Sequence, residues 1–437
     1  MKGVARASLS VVAAVLGFLV LIAVPATLAA ASVTQVIPAA GPVIVSTITL
    51  GVKPLAGVVV VVRRDGKEVG RGTSARDGTV EIQVSEAAQY EVTIDRASLP
   101  DGVGFVPGAR TTLKPFVQAN GRAPVVFQLT KSGAAEAETV SNFGRMANLV
   151  ASGLRFGLVI ALASVGLSLL YGTTGLTNFA HGELVTFGAV AAWFFNDPGT
   201  IGVPLVFAAV LGVLASGGLG ASLEFSLFRP LRRRGMPDNT VMIVSIGLAF
   251  LLRYLISIIF EANPRQYAQF AAQSPTVHIG PLHLRPKDVI VAVVAALVLV
   301  GVGLFLRRAR LGTAIRAVSD NRDLAESSGI DVQRVILAVW VMSAGLAGLG
   351  GILLGLTETV SWNMGQRVLL VMFAAVVLGG LGTTFGAMAG GIVVGVVSDV
   401  STFWLDSDLK IVVALFALIL VLLVRPNGIF GFNERAA

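Results

Sequence analysis

The sequence contains no cysteine and only three histidines, and 13% of its residues are charged. Without cysteine, the chain has no disulfide framework, no thiolate metal site and no cysteine nucleophile. The histidines, His181, His278 and His283, are too scattered to indicate a metal cluster. The sequence also has no H-E-x-x-H motif and no set of paired aspartates or Ser/His residues at related depths. We therefore expect no catalytic residue, no metal and no cofactor.

Apolar residues dominate what remains. They make up 54% of the chain, and the mean hydropathy is +0.81. Apolar runs of roughly 20 residues, each about long enough to cross a hydrocarbon core, recur from residue 148 to residue 424. Residues 33–132 contain no such run. The net charge of +8 arises mostly from short segments between apolar runs, which indicates membrane topology and not nucleic-acid binding. The chain thus has two regions, one expected in water and one expected in lipid.

The N-terminal segment, residues 1–31, has the layout of a secretory signal. Lys2 and Arg6 precede an apolar stretch from Leu9 to Val24, and the small residues PATLAAAS follow. Cleavage near Ala29 to Ala31 is one interpretation, and an uncleaved anchor helix is the other. Both interpretations place the next region outside the cytoplasm.

Residues 32–132 have the pattern of a small all-β sandwich. Short runs rich in Val, Ile and Thr are separated by turn signals, among them Asp65-Gly66 and Asp77-Gly78, which we interpret as hairpin turns. The order of two Asp-Gly turns and a Tyr-x-Val strand resembles carboxypeptidase-regulatory or prealbumin-like β-sandwich modules. Because the region has no catalytic set, we expect a docking or shielding module. Residues 133–147 are small and polar and indicate a linker.

The remaining region predicts a polytopic bundle, so the chain is mostly α, with about eight or nine membrane helices or half-helices after the β-sandwich. Two basic loops, around Arg232 and around Arg308, are expected to be cytoplasmic by the positive-inside rule. Counting membrane crossings from these loops places residue 148 on the extracytoplasmic side and the C-terminus in the cytoplasm. The predicted apolar segments are 148–171, 180–195, 202–227, 239–260, 288–306, 335–357, 368–382, 386–403 and 409–424.

Polar residues interrupt the apolar region in YGTTGLTNFAHGE, residues 171–183. Polar groups at membrane depth are costly unless they face a cavity or a partner, so Asn178, His181, Gly182 and Glu183 are candidates for a translocation path. The alternative is a cytoplasmic turn in which these side chains are merely solvated or capping.

A second glycine-rich break, VLGGLGTTFG, provides three further path candidates, Gly379, Gly380 and Gly382. Two interrupted segments in separated halves of a chain are typical of a midplane site. The alternative for most glycines in these helices is close helix packing.

A polar loop, residues 307–335, separates two apolar runs and is expected to be cytoplasmic. Its middle has helical spacing and predicts a short amphipathic helix that ends at Gly329, which would present a surface to a partner. No segment matches the Walker motif G-x-x-x-x-G-K-[ST], so any ATP hydrolysis must come from another subunit.

Four motifs carry a resemblance to a known family. TNFAHGE, RAVSDNRDLAESSGID, VLGGLGTTFGAMAGG and LLVRPNGIFG are similar, in this order, to signatures of LivH-type permease subunits of branched-chain amino acid ABC importers. The likeness covers residues 148–432. Permeases for urea and other amides share these motifs and are the alternative.

The resemblance implies a non-enzymatic transporter subunit in the inner membrane. It implies four partners besides the lipid bilayer and a small-molecule substrate: a second permease, two cytoplasmic ATPase subunits and an extracytoplasmic binding protein. It also implies a loop that contacts the ATPase, and the matching positions are Ala317, Asp320, Ala325, Gly329 and Ile330. A membrane-anchored ligand-binding or sensor protein is a rival, but one helix would suffice for anchoring.

Overall fold

The computed structural model describes residues 42–50, 53–64, 66–86, 88–105, 111–117, 122–131, 142–260, 264–268, 277–279, 282–425 and 428. The predicted signal or anchor segment, residues 1–31, lies outside the described residues, as does the predicted linker up to residue 141. The chain divides into two compact units, with the boundary between Phe143 and Gly144. Each unit is described by itself.

The first unit is built from two main sheets. In the larger sheet, β1 (Val43–Leu50) pairs in parallel with β11 (Arg122–Lys131) and antiparallel with β5 (Thr79–Gln83), and β2 (Lys53–Pro54) and β8 (Val103–Phe105) complete it. The second sheet has the order β4-β3-β7-β9. Its strands are β3 (Val59–Arg64), β4 (Lys67–Thr73), β7 (Glu91–Ile94) and β9 (Thr112–Leu113), and β6 (Ala88–Gln89) pairs separately with β10 (Phe116–Val117).

One apolar core joins the two main sheets. It includes Ile44 and Ile48 of β1 and Val60 and Val62 of β3, all fully buried, together with Phe127 of β11. Alternating residues of β1, β3 and β11 therefore face this core, as the runs of β-branched residues predict. The predicted β-sandwich is confirmed.

The two Asp-Gly pairs have different roles. At the first pair, β3 and β4 pair antiparallel and are connected through Gly66, so the connection is a hairpin turn as predicted, although Asp65 itself lies outside the described residues. The second lies between β4 and β5, which belong to different sheets. The interpretation of Asp77-Gly78 as a hairpin turn is therefore wrong: Gly78, at φ 74°, turns the chain from one sheet to the other, and a Cβ there would meet the Ile48 carbonyl oxygen at 2.5 Å.

The second unit is helical. Six of its helices, counted among the described residues, are long and apolar enough to cross a membrane. These confirm the prediction of a polytopic bundle. The helices are α1 (Asn142–Thr174), α2 (His181–Asn196), α3 (Leu205–Leu223), which continues through a π-helical turn (Glu224–Phe228) into α4 (Arg229–Arg233), α5 (Asp238–Phe260), α6 (Pro286–Arg308), α7 (Arg310–Asp320), α8 (Arg322–Ser327), α9 (Val332–Thr357), α10 (Met364–Gly379), α11 (Thr384–Ser401) and α12 (Lys410–Val424).

Two features of the helices differ from the expectations. Helix α1 begins at Asn142, before the apolar run at residue 148, because hydropathy marks only the apolar part of a helix. The polar loop contains two helices, α7 and α8, and not a single one, because Asn321 is extended (φ −157°) and its side chain accepts from the Leu324 backbone N–H at 2.9 Å. Asn321 therefore caps a new helix. A short hairpin, β12 (Val277–Ile279) and β13 (Leu282–Leu284), precedes α6.

Glycines bring the membrane helices into backbone contact. A Cβ on Gly351 of α9 would lie 1.9 Å from the Val185 carbonyl oxygen of α2, and a Cβ on Gly390 of α11 would lie 2.1 Å from the Ala375 carbonyl oxygen of α10. Such contacts exclude any larger side chain. For these glycines the packing interpretation is the one that the structure supports.

Candidate functional site

The first polar break lies inside the helical unit. Helix α1 ends at Thr174 and α2 begins at His181, so the segment between them is not helical. The side chains of Asn178, His181 and Glu183 are fully buried, each with 0% exposure. This burial excludes the alternative of a turn with solvated side chains. It does not exclude the capping form of that alternative, because Asn178 Oδ1 accepts from the Ala180 backbone N–H at 3.0 Å.

The depth of the break follows from one contact along α1. His181 Nε2 lies 2.9 Å from the Ala163 carbonyl oxygen and donates to it, because a carbonyl only accepts. The stretch from Ala163 to the end of α1 is about 16 Å long at 1.5 Å per residue. That is about half of a hydrocarbon core of roughly 30 Å. Helix α2 therefore starts beside α1, well before the end of α1, and its 16 residues are fewer than the roughly 20 that a full crossing needs. A helix too short for a full crossing is called a half-helix below.

Helix α5 anchors this break at two points. Arg253 donates from Nε and Nη2 to Glu183 Oε1, at 3.0 and 2.7 Å, and both side chains are buried. Two turns earlier on the same helix, Ser245 Oγ accepts from the Phe179 backbone N–H at 3.1 Å. The ion pair neutralises two charges that would each be costly if buried alone.

Sequence reasoning did not single out Arg253. Its signal was present, because it is a lone cation inside the apolar run 239–260. An ionisable residue within a membrane helix calls for a buried partner. The sequence does not reveal which carboxylate is that partner, because Glu183 is distant in the chain.

A second half-helix begins where α2 begins. Gly182, the second residue of α2, lies against Gly365, the second residue of α10, so that a Cβ on Gly365 would be 1.8 Å from the Gly182 carbonyl oxygen. The Gly365 backbone N–H also donates to Thr186 Oγ1 of α2 at 3.0 Å. The N-termini of two half-helices therefore converge at one place.

The break before α10 was also missed from the sequence. Its signal is the polar stretch TETVSWNMGQR, residues 357–367, between two apolar runs. This stretch lies between the predicted apolar segments 335–357 and 368–382, and sequence reasoning gave it no interpretation of its own. Only the contact between Gly182 and Gly365 relates the two segments.

Three buried polar atoms at this junction have no hydrogen-bond partner among the described residues. They are Asn178 Nδ2, His181 Nδ1 and Glu183 Oε2. Asn178 Oδ1 is already engaged by the Ala180 backbone N–H at 3.0 Å. Because His181 Nε2 donates to a carbonyl, the Nδ1 of a neutral His181 is an acceptor. The junction thus offers one unused donor and two unused acceptors.

This arrangement can recognise a small polar molecule. Each helix N-terminus carries a partial positive charge of about half an elementary charge, and two of them meet here. Half-helix N-termini of this kind favour an anionic group such as a carboxylate. The unused acceptors of His181 and Glu183 could take the N–H groups of the same molecule.

The second predicted break does not join this junction. Gly379 and Gly382 lie at the other end of α10, and the stretch from Gly365 to Gly379 is about 21 Å long. A Cβ on Gly379 would meet the Gly386 carbonyl oxygen at 2.1 Å, and Gly382 lies against Gly172 at the end of α1. Gly380 and Gly382 have φ of 107° and 77° and form the turn into α11. In this structure these three glycines serve turning and packing.

The polar loop after α6 forms a surface helix pair. Helix α7 places Gly312, Ile315 and Val318 in the core and leaves Asp320 exposed, while Ala317 is partly buried. In α8, Ala325 is buried, but Leu324 is 64% exposed. The packed residues fix the pair to the bundle, and the exposed residues can meet a partner.

The end of α8 is shaped by Gly329. Its φ is 85°, a left-handed conformation that other residues adopt at a cost. The Ile330 backbone N–H donates to the Ala325 carbonyl oxygen at 3.1 Å, which closes a Schellman motif. Ile330 packs against the apolar core. Of the predicted contact residues, Ala325, Gly329 and Ile330 therefore shape and anchor the helix pair.

The chain is similar to proteins of known type. A family model described as "Branched-chain amino acid transport system / permease component" matches residues 149–424. The high-affinity branched-chain amino acid transport system permease protein LivH of Escherichia coli K12 is 31% identical over 296 residues, covering 65% of this chain and 94% of that protein. BraD of Pseudomonas aeruginosa, of the same description, is 30% identical over 293 residues, covering 65% of this chain and 95% of that protein.

A more distant relative is described as a probable branched-chain amino acid transport permease protein. The probable LivH permease of Methanocaldococcus jannaschii is 28% identical over 290 residues, covering 63% of this chain and 90% of that protein. No solved structure matches the chain. The family match lies within the helical unit, which contains the junction of α2 and α10.

Proposed function

We propose that this chain, which belongs to the family of branched-chain amino acid transport permease components, forms the transmembrane path of an ABC importer for leucine, isoleucine and valine. It is a multi-pass membrane protein and a transporter subunit. The path would pass the junction at which the N-termini of α2 and α10 converge. That convergence, at Gly182 and Gly365, is the observation that supports the proposal.

The junction favours an amino acid over urea. The unused donor of Asn178 and the unused acceptors of His181 and Glu183 would suit both molecules, since both contain N–H groups and an oxygen acceptor. Urea is neutral, whereas an amino acid carries a carboxylate that the helix N-termini attract and an ammonium that a carboxylate oxygen attracts. We therefore place the substrate carboxylate toward the two N-termini and its ammonium toward Glu183.

Uptake measurements test the substrate. A strain that lacks only this gene is expected to lose uptake of labelled leucine and to regain it on complementation, while uptake of labelled urea stays unchanged. Both solutes are measured in parallel, so urea is the control for general damage to the envelope. Loss of urea uptake with normal leucine uptake would assign the chain to the amide permeases and would contradict the proposed substrate.

Coupling to ATPase subunits is the second part of the proposal. ATP binding would close two partner ATPases, and the pair of α7 and α8 would transmit that movement to the bundle. The side chains of Leu324 and Asp320 are both exposed, and Leu324 supplies the apolar contact that such an interface needs. A second permease and an extracytoplasmic binding protein would complete the importer, and the binding protein would make the first selection of substrate.

Leu324→Asp tests this coupling. Because Leu324 is 64% exposed, the variant should fold and reach the membrane, but a charge placed within an apolar contact should lower leucine uptake by about tenfold or more. Thr313→Asp adds the same charge at another exposed position of the helix pair and serves as the control. Copurification of the ATPases and labelled leucine uptake are measured for both. Normal copurification and uptake in Leu324→Asp would remove α8 from the interface.

The orientation follows from the basic segments. Two basic clusters lie next to apolar spans: Arg232 and Arg233 in α4, and Arg307 and Arg308 at the end of α6. We propose that both basic clusters face the cytoplasm and that the protein lies in the inner membrane. The C-terminus would then be cytoplasmic and the β-unit extracytoplasmic. We keep residues 32–132 and 148–432 as the proposed bounds of the β-domain and the permease domain.

A further inference from the structure

A cleft of about 300 Å³ lies on the outer face of the four-stranded sheet in the β-unit. Its floor is one row of cross-strand neighbours, formed by Arg71, Val61, Thr93 and Thr112 from β4, β3, β7 and β9. The row faces away from the apolar core, because Val60 and Val62 of β3 face the core and Val61 points to the opposite side.

Three guanidinium groups line this cleft. They belong to Arg63, Arg71 and Arg96, and the single carboxylate in the lining is that of Asp95. Asp95 is already engaged, since its Oδ1 accepts from the Ala97 backbone N–H at 3.1 Å and its Oδ2 lies 3.6 Å from Arg71 Nη1. The lining therefore has an excess of positive charge.

Carboxylates beside the cleft do not remove that excess. Glu68 binds Arg71 through two hydrogen bonds, at 2.9 and 3.2 Å, and Glu91 pairs with Lys114 at 2.7 Å. Arg63 makes no ion pair with any residue that the structure describes. Arg96 likewise has no carboxylate partner in the described part of the chain, and its guanidinium lies 6.0 Å from the centre of the Phe105 ring.

We propose that this cleft binds a small organic anion through a carboxylate group. A guanidinium offers a planar pair of donors that matches a carboxylate, and the hydroxyl of Thr112 can donate to the same group. Phe105 and Val61 supply apolar contact for the carbon part of the ligand. The volume lies at the lower end of the range for small-molecule sites, about 300 to 1,000 Å³, and so fits a compact ligand.

The ligand of this cleft differs from the substrate proposed for the helical unit. A free amino acid carries an ammonium, which would meet three arginines and one carboxylate that is already hydrogen-bonded. An anion without an ammonium avoids this repulsion. The inference therefore does not depend on the transport proposal, and each can fail without the other.

Titration of the full-length protein in nanodiscs of phosphatidylcholine tests the site, with succinate as the probe. Saturable binding of succinate is expected by calorimetry, and it should weaken as NaCl is raised. Succinamide, which has nearly the same shape without the charge, should not bind. Phosphate is titrated in parallel, and tighter binding of phosphate than of succinate would overturn the carboxylate assignment.

Two matched variants locate the binding. Arg63→Gln should weaken succinate binding by about tenfold or more, because a charged hydrogen-bonding group is lost from the cleft. Arg76→Gln removes the same charge from an exposed position of the β-unit outside the cleft and should leave the affinity unchanged. The absence of saturable succinate binding, or equal affinities in the two variants, would overturn the proposal. Arg96→Gln provides a second variant with the same expected loss.

Discussion

Arg253→Met is expected to destabilise the helical unit by about 3 to 5 kcal/mol, because it leaves the Glu183 carboxylate buried without its cation. The Glu183 side chain has 0% exposure, so water does not reach it to replace the lost partner. We expect the unfolding temperature of the detergent-purified protein to fall by roughly 10 °C. Leucine uptake should be lost with it. Thermal unfolding, followed by size-exclusion chromatography of heated samples, measures the effect.

Two companion variants make this result interpretable. Arg233→Met removes the same side chain from an exposed position of α4 and should leave the unfolding temperature unchanged. The double variant Glu183→Met and Arg253→Met removes both charges, and such replacements of a buried pair are often neutral or stabilising. An unchanged unfolding temperature in Arg253→Met alone would contradict the observed ion pair.

The double variant also separates the two possible roles of the pair. If Glu183 only holds α2 against α5, the double variant should recover both stability and leucine uptake. If Glu183 also receives the substrate ammonium through its unused oxygen, stability should recover while uptake remains lost. The proposed function predicts the second result.

Gly365→Ala is expected to destabilise the junction of the two half-helices by about 1 to 3 kcal/mol or more, as overpacking does in a filled core. The added Cβ would lie 1.8 Å from the Gly182 carbonyl oxygen, and a backbone atom cannot move aside as a flexible side chain can. Helices α2 and α10 would have to separate, which would move their N-termini away from the path. The unfolding temperature and leucine uptake should therefore fall together.

Gly247→Ala is the matched control for this change. Gly247 lies within α5, and nothing lies within 4 Å of a Cβ built there. The same substitution should therefore leave uptake unchanged and could stabilise the helix by up to about 1 kcal/mol, because alanine favours helices more than glycine does. Equal stability and uptake of Gly365→Ala and the original protein would show that α2 and α10 do not approach each other in this way.

Much of the fold could be predicted because hydropathy and turn chemistry are local. Each of the nine predicted apolar segments coincides with a helix, although α1 begins earlier than its apolar run. The Val-rich and Thr-rich runs form the strands of the β-unit. Placing an apolar side chain in water, or an unpaired backbone group in lipid, costs free energy at each residue separately. The hydropathy pattern of the sequence therefore indicates directly which segments are helices in lipid and which are not.

The candidate site was only partly predictable. Asn178, His181 and Glu183 were proposed as candidates because polar residues interrupt an apolar run, and all three side chains are buried within the helical unit. The glycines at residues 379–382 had a similar local pattern but form a packed turn. A glycine-rich sequence alone does not distinguish a turn from a path, because both need residues without a side chain.

By itself, the sequence determined the division into a β-unit and a membrane bundle, the family resemblance and the presence of a polar break near His181. The tertiary structure decided that Arg253 is the partner of Glu183 and that Gly365 brings the start of α10 to the start of α2. It also assembled Arg63, Arg71 and Arg96 around one cleft. The physical reason is distance along the chain. The ion pair, the backbone contact and the cleft each bring together residues that are far apart in sequence, and nothing in the local sequence indicates that such residues are close in space.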